Sequence, residues 1–205
     1  GTEEAPDKLD RISLDAIHEA ILKVAENPKI NSSQIALIGG SKGGELVLNL
    51  ASYFDDIDAV VALSPSHVSF AGLTEMSNTS SWTLNGKEIP FAPTPYSAIP
   101  AIVSGDLLEA YNIILENKEA VQKALIPVEK INGSILLLSA TEDEAWPSKR
   151  MCDQMMKKLE NNKFNHRHEH IAIEGSHTAP SERFDLVFDF FEKHFPADSI
   201  TASSF

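Results

Sequence analysis

Five consecutive residues, Gly39-Gly40-Ser41-Lys42-Gly43, fit the spacing Gly-x-Ser-x-Gly. A serine hydroxyl is a weak nucleophile until a base takes its proton and N–H groups receive the charge that forms on the attacked carbonyl oxygen. This spacing supplies part of both needs. Glycines let the chain turn sharply from a strand into a helix, which leaves the serine at the tip of the turn. There the helix N-terminus, with its free N–H groups, favours developing negative charge. Ser41 is therefore the candidate nucleophile, and the backbone N–H of Lys42 the candidate oxyanion donor. The pentapeptide alone is a weak signal, because loops of glycine and serine often only turn the chain.

A nucleophile of this kind needs an imidazole, and the imidazole needs an orienting carboxylate; where the serine sits on a strand-to-helix elbow, the expected order along the chain is serine, acid, histidine, each in a loop after a strand. The segment Ala140-Thr141-Glu142-Asp143-Glu144-Ala145-Trp146-Pro147-Ser148 offers three acids, and residue type alone leaves all three open. Of the seven histidines, His177 stands in a loop just after an apolar run, Glu174-Gly175-Ser176-His177. His67 could line the site but precedes the acid loop. His18 and His194 fall in helical patterns and read as solvated. His166, His168 and His170 alternate, a spacing that can bind metal on one strand face. No acid or cysteine converges there, so no metal and no cofactor is expected.

These residues need elements to hold them. Ile35-Ala36-Leu37-Ile38, Ala59–Leu63, Ser134–Ser139 and His168–Ile173 are short apolar runs that read as strands, the first one buried on both faces. Helical spacing follows them over Lys42–Tyr53, Ser148–Leu159 and Arg183–His194, and precedes them from Leu14 to Ala25, with Ser13 as N-cap. Strands alternating with helices predict a parallel sheet with crossover helices, an α/β layer fold. From Ser64 to about Lys130 the rhythm breaks: six prolines, little strand signal, and one helical stretch from Leu107 to about Leu125. An excursion of that length is expected to cover a site or to form an interaction arm.

The chain has 205 residues, of which 42% are hydrophobic and 23% charged, enough for one domain with a sizeable core. Thirty acids against 17 Lys and Arg give a formal charge of −13. That field disfavours nucleic acid and membrane surfaces as partners but leaves room for an anion in a local pocket. Cys152, the one cysteine, excludes an internal disulfide and reads as a small buried residue. The acidic start, Gly1–Asp7, has no apolar segment of a signal peptide, and the end, Ala202–Phe205, matches no targeting signal. A cytoplasmic location is the default expectation.

With those residues in place, the chain resembles the C-terminal domain shared by acyl-CoA thioesterases and bile acid-CoA:amino acid N-acyltransferases, from about Leu14 to Phe195. The resemblance rests on Ile38-Gly39-Gly40-Ser41-Lys42-Gly43-Gly44-Glu45, Asn85–Pro90, Leu125–Ile131, Glu142–Ser148 and Gly175-Ser176-His177. It implies an α/β-hydrolase fold and a triad of Ser41, Asp143 and His177, since the family's aspartate lies three residues before the tryptophan that is Trp146 here. It also implies that a serine nucleophile, where amide-forming members use cysteine, hydrolyses acyl-CoA thioesters. His67, Trp82, Tyr96 and Trp146 are then candidates for the substrate wall.

The departures are equally specific. Four strands are readable where a complete α/β-hydrolase has about eight, and the loop that gives the second oxyanion N–H precedes them. One domain spanning 1–205, with an insertion at about 64–130 over the site, is expected to be a fragment of a longer chain. Alone it would be weakly active, or would pair edge to edge as a homo-oligomer. A carboxylesterase or dienelactone-hydrolase-like enzyme on small oxygen esters fits the same residues, because a triad fixes reaction type and not leaving group. A non-catalytic partner-binding module is the reading outside enzymes.

Overall fold

The computed structural model describes residues 8–29, 33–74 and 78–194. The chain's start and serine-rich end lie outside them. Strand β1 (Ile12–Ser13) runs directly into helix α1 (Leu14–Ala25), whose N-cap Ser13 accepts from the Ala16 N–H at 3.1 Å. After β2 (Ala36–Gly40) come α2 (Lys42–Tyr53) and β3 (Ala59–Leu63). The excursion holds β4 (Trp82–Leu84), β5 (Lys87–Glu88), α3 (Ile99–Ser104), α4 (Leu107–Glu116) and α5 (Lys118–Ala124). The chain then completes β6 (Ser134–Ala140), α6 (Ser148–Asn161), β7 (His168–Ile173) and α7 (Phe184–His194).

The four expected strands form one parallel sheet in the order β2-β3-β6-β7. Side chains alternate across it, as strand geometry requires. Val60, Ala62, Ile135 and Leu137 face α2 and α6 through Leu48, Ala51, Met155 and Leu159. Val61, Leu63, Leu136 and Leu138 face α7 through Val187 and Phe190. Cys152 is fully buried on the α6 side. Cover is incomplete at the β2 edge: Ile38 is 42% exposed, and no strand among the described residues pairs with β2 on its outer side. β2 is therefore less buried than its apolar sequence suggested.

Three features lie beyond the sequence reading. β1, β4 and β5 form a small second sheet, with Ile12 paired to Trp82 in parallel. The long helical stretch is two helices, because Asn117 leaves helical geometry and its side chain caps α5 by accepting from the Ala120 N–H. His18 is not solvated; its ring stacks on Phe54 at 3.9 Å and bonds to the Asp56 carboxylate at 2.8 Å. Among the described residues, no helix is long and apolar enough to cross a membrane.

Candidate active site

The carboxyl ends of the four strands are stitched together by three backbone bonds. The Ser41 N–H donates to the Leu63 carbonyl at 2.7 Å, Ser64 N–H to Leu138 at 2.7 Å, and Thr141 N–H to Ile173 at 2.9 Å. Each loop residue thus reaches the last carbonyls of the neighbouring strand, so the loops after β2, β3 and β6 share one end of the sheet. That end is where open parallel sheets place their ligands.

Ser41 has φ 54° and ψ −119°, a conformation that residues with a Cβ rarely adopt. The turn is held by close packing of α2 on β2. A Cβ on Gly39 would lie 2.1 Å from the Gly43 carbonyl oxygen, and one on Gly44 would meet Pro65 and two carbonyls at 3.2–3.3 Å. A Cβ on Gly43 would meet nothing within 4 Å. The glycines that the elbow needs are therefore Gly39 and Gly44, one residue off the expected pair. As the first residue of α2, Lys42 has no carbonyl one turn back for its N–H, which leaves that donor without an intrahelical partner next to the serine in the chain. Its side chain turns away: the ammonium bonds both Glu45 carboxylate oxygens at 2.8–2.9 Å. Burial pulls the Lys42 pKa down despite that partner.

Glu45 is fully buried and also accepts from Trp82 Nε1 (2.7 Å), the Phe70 N–H (3.2 Å) and the Ser66 hydroxyl (3.1 Å). A buried carboxylate is tolerable only when its lone pairs are filled in this way. The network ties the elbow helix to the excursion.

The three acids after β6 divide. Asp143 is buried, and its Oδ1 accepts from His177 Nδ1 at 2.8 Å and from the Ala145 and Trp146 N–H groups at 3.0 and 3.1 Å. Burial alone would raise its pKa, but the bonds from His177 and the Trp146 N–H, with the Ser148 hydroxyl nearby, outweigh it and hold the carboxyl below its ordinary value. Glu144 accepts instead from the His177 backbone N–H at 2.8 Å, and that bond lowers its pKa. Glu142 is exposed. The His177 carbonyl in turn accepts from the Ser64 hydroxyl at 2.7 Å, with Ser64 itself at φ 44°. Sequence reasoning missed Ser64 and Glu144 as the residues that clamp the histidine backbone; the signal was their position in the loops after β3 and β6.

Trp146 donates from Nε1 to the Ser64 carbonyl at 3.0 Å and sets its edge against the His177 ring at 5.5 Å. Phe70 and Tyr111 of the excursion pack on its other sides. A Cβ placed on Gly40 would lie 3.9 Å from the Ser181 hydroxyl, so the loop following His177 reaches the elbow. The Ser41 hydroxyl makes no hydrogen bond among the described residues, and such bonds often tighten only when substrate is bound.

The other wall candidates are placed elsewhere. Trp82 is a core residue beside Leu14, Leu50 and Ile89, held by Glu45, because its indole N–H needs a buried acceptor. Tyr96 is 94% exposed, with no described contact to the site. His67 is buried and lines a cavity that Ser41, Asp143 and His177 do not line. His170 of the alternating trio bonds the Ser139 hydroxyl and Asp153, and no cluster of three metal-ligating side chains exists among the described residues.

Residues 12–178 match the family described as "BAAT / Acyl-CoA thioester hydrolase C terminal". Human acyl-coenzyme A thioesterase 1 is 27% identical over 160 residues, and mouse acyl-coenzyme A thioesterase 3 is 28% identical over the same length. Each alignment covers 77% of this chain and 36% or 35% of the relative, so the chain spans about a third of their length. Among solved structures, a Pyrococcus furiosus esterase superposes with a TM-score of 0.55 at 13% identity, covering 88% of this chain and 61% of that one. The Pyrococcus horikoshii acylaminoacyl peptidase does so with 0.53 at 15%, covering 88% and 26%. At such identities these two report the fold, a parallel α/β-hydrolase sheet.

Proposed function

The chain belongs to the BAAT / acyl-CoA thioester hydrolase C-terminal family, and from that premise we propose that it is a serine hydrolase domain that cleaves acyl-CoA thioesters to free acid and CoA. Ser41 attacks the thioester carbonyl, and His177 takes its proton. Asp143 holds the imidazole in the tautomer that leaves Nε2 free to accept. The Lys42 N–H stabilises the oxyanion, and CoA departs as the thiol with the proton that His177 had taken; the neutral imidazole then draws a proton from water as it attacks the acyl-serine, and returns it to Ser41 as the free acid leaves. The observation that carries this reading is the 2.8 Å bond from His177 Nδ1 to Asp143 Oδ1, at the sheet end where the strained Ser41 sits. The thioesterase activity of the relatives suggests the leaving group. The excursion at 64–130, packed on Trp146, serves as cover for the site within a single domain.

The test pairs labelling by a fluorophosphonate with thiol release from a panel of acyl-CoAs. Ser41 is expected to be the labelled residue, and thiol release is expected to fall on the order of 10⁴-fold in Ser41→Ala. An unlabelled Ser41 would refute the nucleophile assignment. Labelling with cleavage of aryl esters but no thiol release would leave a serine esterase and remove the thioester substrate.

A further inference from the structure

A cavity of about 660 Å³ opens between α5, α6 and the segment after β3, on a face that none of the proposed catalytic residues lines. That is the size of a nucleotide or small-cofactor pocket. Its charge is opposite to that of the molecule. Lys118, Arg150, Lys157 and Lys158 line it and no carboxylate does, in a chain of formal charge −13.

These cations are largely unneutralised. Arg150 donates to the Asn112 side-chain oxygen at 3.0 Å, and Lys118 to the Leu115 carbonyl at 2.9 Å, both neutral acceptors. Lys157 is exposed and has no partner among the described residues. Only Lys158 meets a carboxylate, Glu129 at 2.9 Å. At the inner wall, His67 is 5% exposed and its buried Nδ1 has no hydrogen-bond partner. Burial, and then the charges of Arg150, Lys118 and Lys158, push the His67 pKa down to about 4, which keeps the imidazole neutral at pH 7. Several cations without carboxylate partners and an unpartnered polar group thus converge on one cavity, a set of groups suited to an anion. Leu115, Val121 and Met155 supply the apolar remainder of the lining.

We propose that this cavity binds a phosphorylated, nucleotide-sized anion, with Arg150, Lys118 and Lys157 facing the phosphate and the apolar wall taking the organic part. A guanidinium fork pairs two phosphate oxygens at once, and the lysines add point charge. Such a group has two sources, a free nucleotide or the nucleotide end of a CoA ester. The site is argued from its own charges and does not depend on the reading of Ser41.

The experiment is calorimetric titration of this chain with ADP and with CoA, where no turnover is needed. Saturable one-to-one binding is expected, weakened at least tenfold in Lys118→Glu/Arg150→Glu. It should be unchanged in Lys23→Glu/Lys87→Glu, which alters net charge equally at exposed positions elsewhere. The single variant Lys157→Glu, at an unpartnered exposed side chain, tests the same point without disturbing the fold and is expected to weaken binding severalfold. CoA binding tighter than ADP and displacing it marks the substrate's nucleotide end; equal or tighter binding of ADP marks a free nucleotide. Absence of saturable binding to either probe, or equal loss in the distant control, overturns the proposal.

Discussion

The Ser64 hydroxyl donates to the backbone carbonyl of His177 at 2.7 Å, joining the loop after β3 to the loop after β7 across the intervening β6. The imidazole is thus aimed from two directions, by Asp143 at the ring and by Ser64 and Glu144 at the main chain.

Removing the Ser64 hydroxyl should blur that aim without abolishing chemistry. Ser64→Ala is expected to lower kcat for ester or thioester cleavage by about fivefold, with KM little changed, since a lost hydrogen bond to a positioning group is worth about 1 kcal/mol. Steady-state kinetics check this, and an unchanged kcat would show that the bond merely closes a loop.

The two neighbouring acids should separate by role. Asp143→Asn removes the carboxylate that fixes the imidazole tautomer and is expected to cost on the order of 10⁴-fold in kcat. Glu144→Gln keeps an acceptor for the His177 N–H and should cost less than tenfold. The rate of Ser41 labelling, measured for both, decides whether Asp143 is the orienting residue.

Within the pentapeptide the glycines should not behave alike. Gly39→Ala drives a Cβ onto the Gly43 carbonyl at 2.1 Å and is expected to unfold the elbow or the protein. Gly43→Ala enters open space in a helix and should raise stability by up to about 1 kcal/mol. Thermal denaturation of the pair reads the difference directly.

His67 predicts an acid weakness. Its folded pKa of about 4 lies below its ordinary 6.5, so the unfolded chain takes up a proton that the folded one refuses. Stability should therefore fall as pH drops from 6.5 to 4, by up to about 3 kcal/mol, with no contribution above that window. Urea unfolding at pH 7 and pH 4.5 should show the loss in the wild type and much less of it in His67→Gln. The depressed Asp143 acts separately, holding stability above pH 3.8 that is lost as pH falls through its folded value.

Much of this was legible beforehand, for physical reasons. Runs such as Val60-Val61-Ala62-Leu63 are apolar without alternation because both faces are covered, and the helices after them begin where the turn demands. The small sheet was illegible because β1 and β5 are two residues long and β4 three, too short for any periodicity. Asn117 was hidden inside an apolar helical pattern, where one residue both ends α4 and caps α5. Trp82 read as a wall because an aromatic in a loop-rich stretch shows no sign of its buried acceptor, which lies 37 positions earlier at Glu45. The acid, by contrast, came from family resemblance; residue type left Glu142 and Glu144 open.

That separation also sets an order in time. On a ribosome Glu45 is joined to the chain 37 residues before the indole that completes its carboxylate's shell. At typical elongation rates this is a delay of roughly 2–7 s. Through that interval the carboxylate has no indole N–H to accept from. The complete shell behind the elbow, Trp82 included, can therefore close only once the chain has been extended into its covering segment.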